Sequence, residues 1–127
     1  MAQSSRSGVQ AAVLVLLVLT AVMLLALLTR TAPHPPLEVA PFALAPFLGA
    51  SLAIGAVAFQ LGHDGTRIGS AFALLFALTA LVSFGPQKYV DPAFSRIWPA
   101  VITAQGAIII IVVLGIKALI EEKASDR

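Results

Sequence analysis

The chain has 127 residues, 59% of them apolar and only 11% charged, with eight cations against six acids for a formal charge of +2. A soluble domain carries roughly 25% charged residues, so most of this surface is expected to face lipid. The cations are scattered singly, which argues against nucleic-acid binding. The absence of cysteine removes disulfides, thiolate metal sites and thiol nucleophiles.

Four apolar blocks follow in chain order. The first, Val9 to Thr29, contains no charge. At about 1.5 Å per residue its length matches a hydrocarbon core of ~30 Å. It is longer than the apolar centre of a signal peptide, and no A-x-A pattern follows before Arg30, so a retained helix is expected. The second block runs from Pro41 to Leu61 and the third from Arg67 to Gly85. Between them Gly62, His63, Asp64 and Gly65 supply a tight turn, which makes the two helices an antiparallel hairpin. The fourth block, Trp98 to Ile120, ends in a charged tail. The expected fold is all-α, an integral membrane four-helix bundle with spans near 9–29, 41–61, 67–85 and 98–120. It forms a single transmembrane domain over 1–127, with short polar tails at 1–8 and 121–127.

Four spans place both termini on one side. That side carries Arg6, Arg67, Lys117, Lys123 and Arg127, against Arg30, Lys88 and Arg96 on the other. The positive-inside rule then puts the termini in the cytoplasm or stroma, of a bacterial inner membrane or a thylakoid membrane.

Helices in lipid associate through close packing and polar contacts, because the surrounding tails are as apolar as leucine. Helix two offers two stripes of small residues, Gly49–Ala53–Ala56 and Ser51–Gly55–Ala58; helix three offers Gly69, Ala73 and Ala77. Helix four adds Ala100, Ala104, Gly106 and Ala107, and helix one, mostly Leu and Val, is expected to be the most lipid-exposed. Two proline-rich connectors share the face opposite the termini. Pro33, Pro35 and Pro36 predict an extended first connector. In the second, Asp91–Pro92 predicts an N-cap and a short helical turn from Pro92 to Ile97, with Pro99 either starting or kinking helix four.

No carboxylate or histidine lies mid-block, which argues against proton-coupled transport. His34 and His63 fall on opposite faces and are expected to be solvated loop residues. No metal or cofactor is expected, nor any enzyme activity, since no nucleophile–base set accompanies the hydroxyls. Thr79, Ser83, Thr103 and Gln105 are the candidate interhelical polar contacts. Gln105 is the most informative of them, because an amide in lipid needs a partner.

The stretch Phe84–Val101, "FGPQKYVDPAFSRIWPAV", concentrates three prolines with the sole Tyr and the sole Trp. Tyr89 and Trp98 suit an aromatic belt, and Lys88 and Arg96 suit lipid phosphates. The same four residues, Lys88, Tyr89, Arg96 and Trp98, are the candidate contacts to a partner. These eighteen residues resemble the signature of small, uncharacterised four-helix membrane proteins of cyanobacteria and plastids. The resemblance implies a thylakoid location and association with photosynthetic complexes.

The expected function is that of a non-catalytic accessory subunit or assembly factor of a larger membrane complex, photosynthetic or respiratory. Its partners are lipid and other membrane subunits, or copies of itself. The alternative is a small passive transporter or channel acting as an oligomer, its path lined by Thr79, Ser83, Thr103 and Gln105.

Overall fold

A computed structural model of the chain describes residues 2–33 and 43–127. It holds α1 (Ala2–Thr29), α2 (Ala45–His63), α3 (Arg67–Phe84), a 3-10 helix (Pro86–Val90) and α4 (Phe94–Ser125), with no strand among the described residues. All four α-helices are long and apolar enough to cross a membrane. They pack as a ring: each meets its sequence neighbour, α4 closes against α1, and only α1 and α3 touch across the diagonal. The first residues of α1, the α2–α3 turn and the last turns of α4 share one end, around a polar cleft of about 430 Å³.

Two helices outrun the expected spans. Residues 2–8 and 121–125, expected as polar tails, are helical. The overhanging ends of α1 and α4 support each other, and a Cβ on Gly8 would stand 3.0 Å from Leu114. Packing of this kind outweighs the weak helix propensity of the serines in α1. α4 takes in Phe94 to Ile97 of the turn expected at Pro92–Ile97 and carries Pro99 inside it, while Pro92 and Ala93 form a turn before it and Ala93, not Asp91, is its N-cap. Of the expected second span, residues 41 and 42 lie outside the described residues, as do His34, Pro35 and Pro36 of the first connector.

The core centres on Val13, Leu16, Phe76 and Ile111, all fully buried and drawn from α1, α3 and α4. Small residues set how near the helices come. Of the two small-residue stripes of α2, Ser51–Gly55–Ala58 is buried, while Gly49, Ala53 and Ala56 face outward. A Cβ on Gly55 would lie 2.7 Å from both Leu17 and the Phe76 ring. A Cβ on Gly69 of α3 would lie 2.7 Å from the Leu61 backbone, so the hairpin closes only because that position is glycine. α1 is no more exposed than α2: each buries about a quarter of its apolar span, and Leu14, Val18, Val22, Leu25 and Leu28 of α1 face outward. The bulky residues of α1 are what fill the centre, since lipid gives Leu no reason to prefer one side.

Two corners close their backbone groups locally. Thr66 serves both halves of the hairpin: its hydroxyl oxygen accepts from the Gly69 amide at 3.0 Å and donates to the Leu61 carbonyl at 3.2 Å. Gly65 supplies the left-handed φ of 63° between them. α1 ends in the two-bond pattern of a Schellman cap. The Thr31 amide donates to Ala26 O at 3.0 Å and the Arg30 amide to Leu27 O at 3.3 Å. Arg30 holds φ at 53°, a conformation that costs a residue with a Cβ about 1 kcal/mol.

Gly69→Ala is expected to lower stability by about 1–3 kcal/mol, because backbone must shift to admit the methyl group. Gly49→Ala, with nothing within 4 Å of the new Cβ, is expected to be neutral or slightly stabilising. Thermal denaturation of both variants in one detergent checks the contrast. In the same assay Arg30→Gly is expected to gain about 1 kcal/mol.

Candidate functional site

The end of the bundle opposite the termini is organised by the connector between α3 and α4. A helix leaves its last carbonyls without intrahelical donors, and here side-chain amides supply them. Gln87 Nε2 donates to Val82 O at 2.7 Å and Leu81 O at 3.2 Å, and Gln105 Nε2 donates to Phe84 O at 3.1 Å. Gly85 allows the chain to fold back this tightly, since a Cβ there would run into the Leu81 carbonyl oxygen.

From Gly85 the 3-10 helix Pro86–Val90 doubles back beside α4. Tyr89 Oη donates to Gln105 Oε1 at 2.6 Å, and its ring leans on Phe94 with centroids 5.3 Å apart. Gln105 therefore spends both ends of its amide, one on α3 and one on the connector. It lies level with the end of α3, because the first turns of α4 run alongside the connector.

Asp91 closes the other side. Its Oδ1 accepts from the Ala93 amide at 2.8 Å, and its Oδ2 meets Lys88 Nζ at 3.4 Å. The Ala93 amide is the main reason the Asp91 carboxyl titrates below its ordinary value; partial burial opposes the effect and Lys88 adds to it. Pro99 follows without breaking α4. Lacking an N–H, it leaves the Ser95 carbonyl without its usual donor, one turn from the helix start.

The four candidate interhelical polar residues differ in what they meet. Thr79 Oγ1 donates to Phe76 O at 2.8 Å, a bond within its own helix and not between helices. Thr103 faces outward, Ser83 is buried, and only Gln105 bridges separate elements. The spacing of Thr79 and Ser83, one turn apart, fixes a shared face of α3 and nothing about the neighbour.

The four candidate partner contacts separate into two kinds. Lys88 and Tyr89 brace the connector through Asp91 and Gln105. Trp98 is half-exposed and Arg96 is exposed, and beside them Val90 stands 85% exposed. Arg96, Lys88 and Asp91 also border a groove of about 450 Å³ between α1 and α4. Its walls are Leu19, Val22, Met23 and Ala26 on one side and Ile97, Ala100 and Val101 on the other.

Gln10 on α1 escaped the sequence reading. It is the sole amide in the first apolar block, and its Nε2 donates to Phe59 O of α2 at 3.1 Å. Gly62 gives it room, because a Cβ there would collide with the Gln10 amide. The same reasoning that singled out Gln105, an amide in apolar surroundings, was sufficient to find it.

No His/Cys/Asp/Glu cluster suited to a metal ion occurs among the described residues. His63 packs its ring beside Phe59, with centroids 5.8 Å apart.

Tyr89→Phe and Gln105→Leu are each expected to cost about 1 kcal/mol. The double variant should lose less than the sum, because the two side chains share one bond; thermal denaturation of the cycle measures that coupling. Asp91 gives a pH test. Its folded pKa is depressed, so its stabilisation is full above the unfolded-state value of about 4 and fades as pH falls through the lowered folded value. The stability gap between wild type and Asp91→Asn is therefore expected to shrink on acidification below about pH 4.

No protein-family model matches the chain, and no curated protein or solved structure is measurably similar to it.

Proposed function

We propose that the chain is a non-catalytic multi-pass membrane protein that serves as an accessory subunit or assembly factor of a larger membrane complex. The observation that carries this reading is the braced connector. Residues 85–93 are closed on themselves by Gln87, Gln105, Tyr89 and Asp91, yet leave Val90 and Trp98 exposed at the same end. A segment ordered in advance loses little entropy when it docks, and a half-exposed Trp is the residue type most often found at the centre of such contacts. In this reading the helices span the bilayer and both termini lie on the cytoplasmic or stromal side, in a bacterial inner membrane or a thylakoid.

The outward face of Thr103 and the self-contained bond of Thr79 give a transport path no support.

Purification of the tagged protein from its native membrane in mild detergent tests the proposal. A stoichiometric membrane partner is expected to co-purify, and Val90→Ala with Trp98→Ala is expected to release it without lowering the thermal midpoint. Recovery solely as a monomer or homo-oligomer overturns it.

A further inference from the structure

The groove between α1 and α4 is amphiphilic along its length. Its deep part is apolar, bounded by Val22 and Ala26 of α1 and by Ala100 of α4. From Leu19 to Ala26 it follows seven residues of helix, about 10 Å. Among the described residues its charged groups lie at the connector end, where Lys88, Asp91 and Arg96 border it; two cations against one carboxylate leave these three a net charge of +1. Asp91 is already committed to Lys88 at 3.4 Å, whereas Arg96 makes no ion pair among the described residues.

The small side chains Ala26 and Ala100 line the groove from opposite walls, and Ser83 and Phe84 of α3 contribute to it. Two bundle helices with larger residues there would leave no such space, since interiors otherwise pack to the density of crystals. An occupant must therefore be slender and apolar in the depth and singly anionic at the rim.

We propose that the groove holds one phospholipid, its acyl chain against Val22, Ala26 and Ala100 and its phosphate on Arg96. A guanidinium presents paired N–H donors to two phosphate oxygens, a geometry that an ammonium lacks. The net rim charge of +1 matches a single phosphodiester. The inference rests on the membrane setting of the proposed function but not on its docking partner. Val90 and Trp98 are outside the groove lining, so the two readings fail separately.

Native mass spectrometry of the detergent-purified full chain is the test, with phosphatidylglycerol, phosphatidylcholine or diacylglycerol titrated in. Either phospholipid is expected to saturate at one molecule per chain, with diacylglycerol retained at least tenfold less. Arg96→Gln is expected to weaken retention about tenfold, and Ala100→Phe, which fills the groove, to abolish it. Trp98→Ala should leave it unchanged. Equal retention of diacylglycerol overturns the phosphate contact. Retention unaltered in both Arg96→Gln and Ala100→Phe overturns the site, as does a protein dimer that excludes lipid, which assigns the groove to a second copy.

Discussion

A peptide carbonyl released at the end of a helix needs a donor, and in apolar surroundings water does not supply one. The corners of this bundle are built around that need. Thr66 bonds the end of α2 and the start of α3 with one hydroxyl. Gln87 and Gln105 together cover the carbonyls of Leu81, Val82 and Phe84 at the end of α3. Asp91 steers the chain into α4 through the Ala93 amide. Because those donors come from the connector and from α4, capping α3 also fixes the path of the chain beyond it. The shape of the exposed rim is thus a consequence of backbone bookkeeping.

The helices between these corners are held by close approach. Gly55 sits against Leu17 and Phe76, and Gly69 sits against the Leu61 backbone. The hydrophobic effect that drives a soluble core is absent between helices already surrounded by apolar tails, so contact distance carries the stability. That explains why the bulky residues of α1 occupy the centre while the Gly49–Ala53–Ala56 stripe of α2 does not. A small stripe is useful only where a neighbour is present to be approached.

At the rim the structure divides labour among residues that the sequence groups together. Lys88 and Tyr89 bond within the corner, to Asp91 and Gln105, although Tyr89 is as exposed as Trp98. Trp98 and Val90 look outward. Arg96 borders the α1–α4 groove. Bracing by the first pair holds the corner that carries the second pair, and Arg96 stands at the rim of the groove between α1 and α4.

Much of the architecture was legible in the sequence because it depends on composition and local spacing. Apolar runs of helical length announce four helices long enough to span a membrane, and Gly62–Gly65 announces the hairpin, since the positive φ that Gly65 adopts is a local requirement. Asp91–Pro92 announces a turn for the same reason, but α4 starts later, at Phe94 with Ala93 as its N-cap. What the sequence by itself does not determine is which polar groups meet across helices. Gln105 lies 21 residues from Phe84 and 16 from Tyr89 and bonds both, because the connector folds back along α4. Thr103, two residues away, points out. Helical spacing assigns residues to a face, but the rotation of each helix and the path of the connector decide what that face meets. Only the tertiary structure sets those two quantities, through contacts such as Gly85 on Leu81 that involve the whole corner at once.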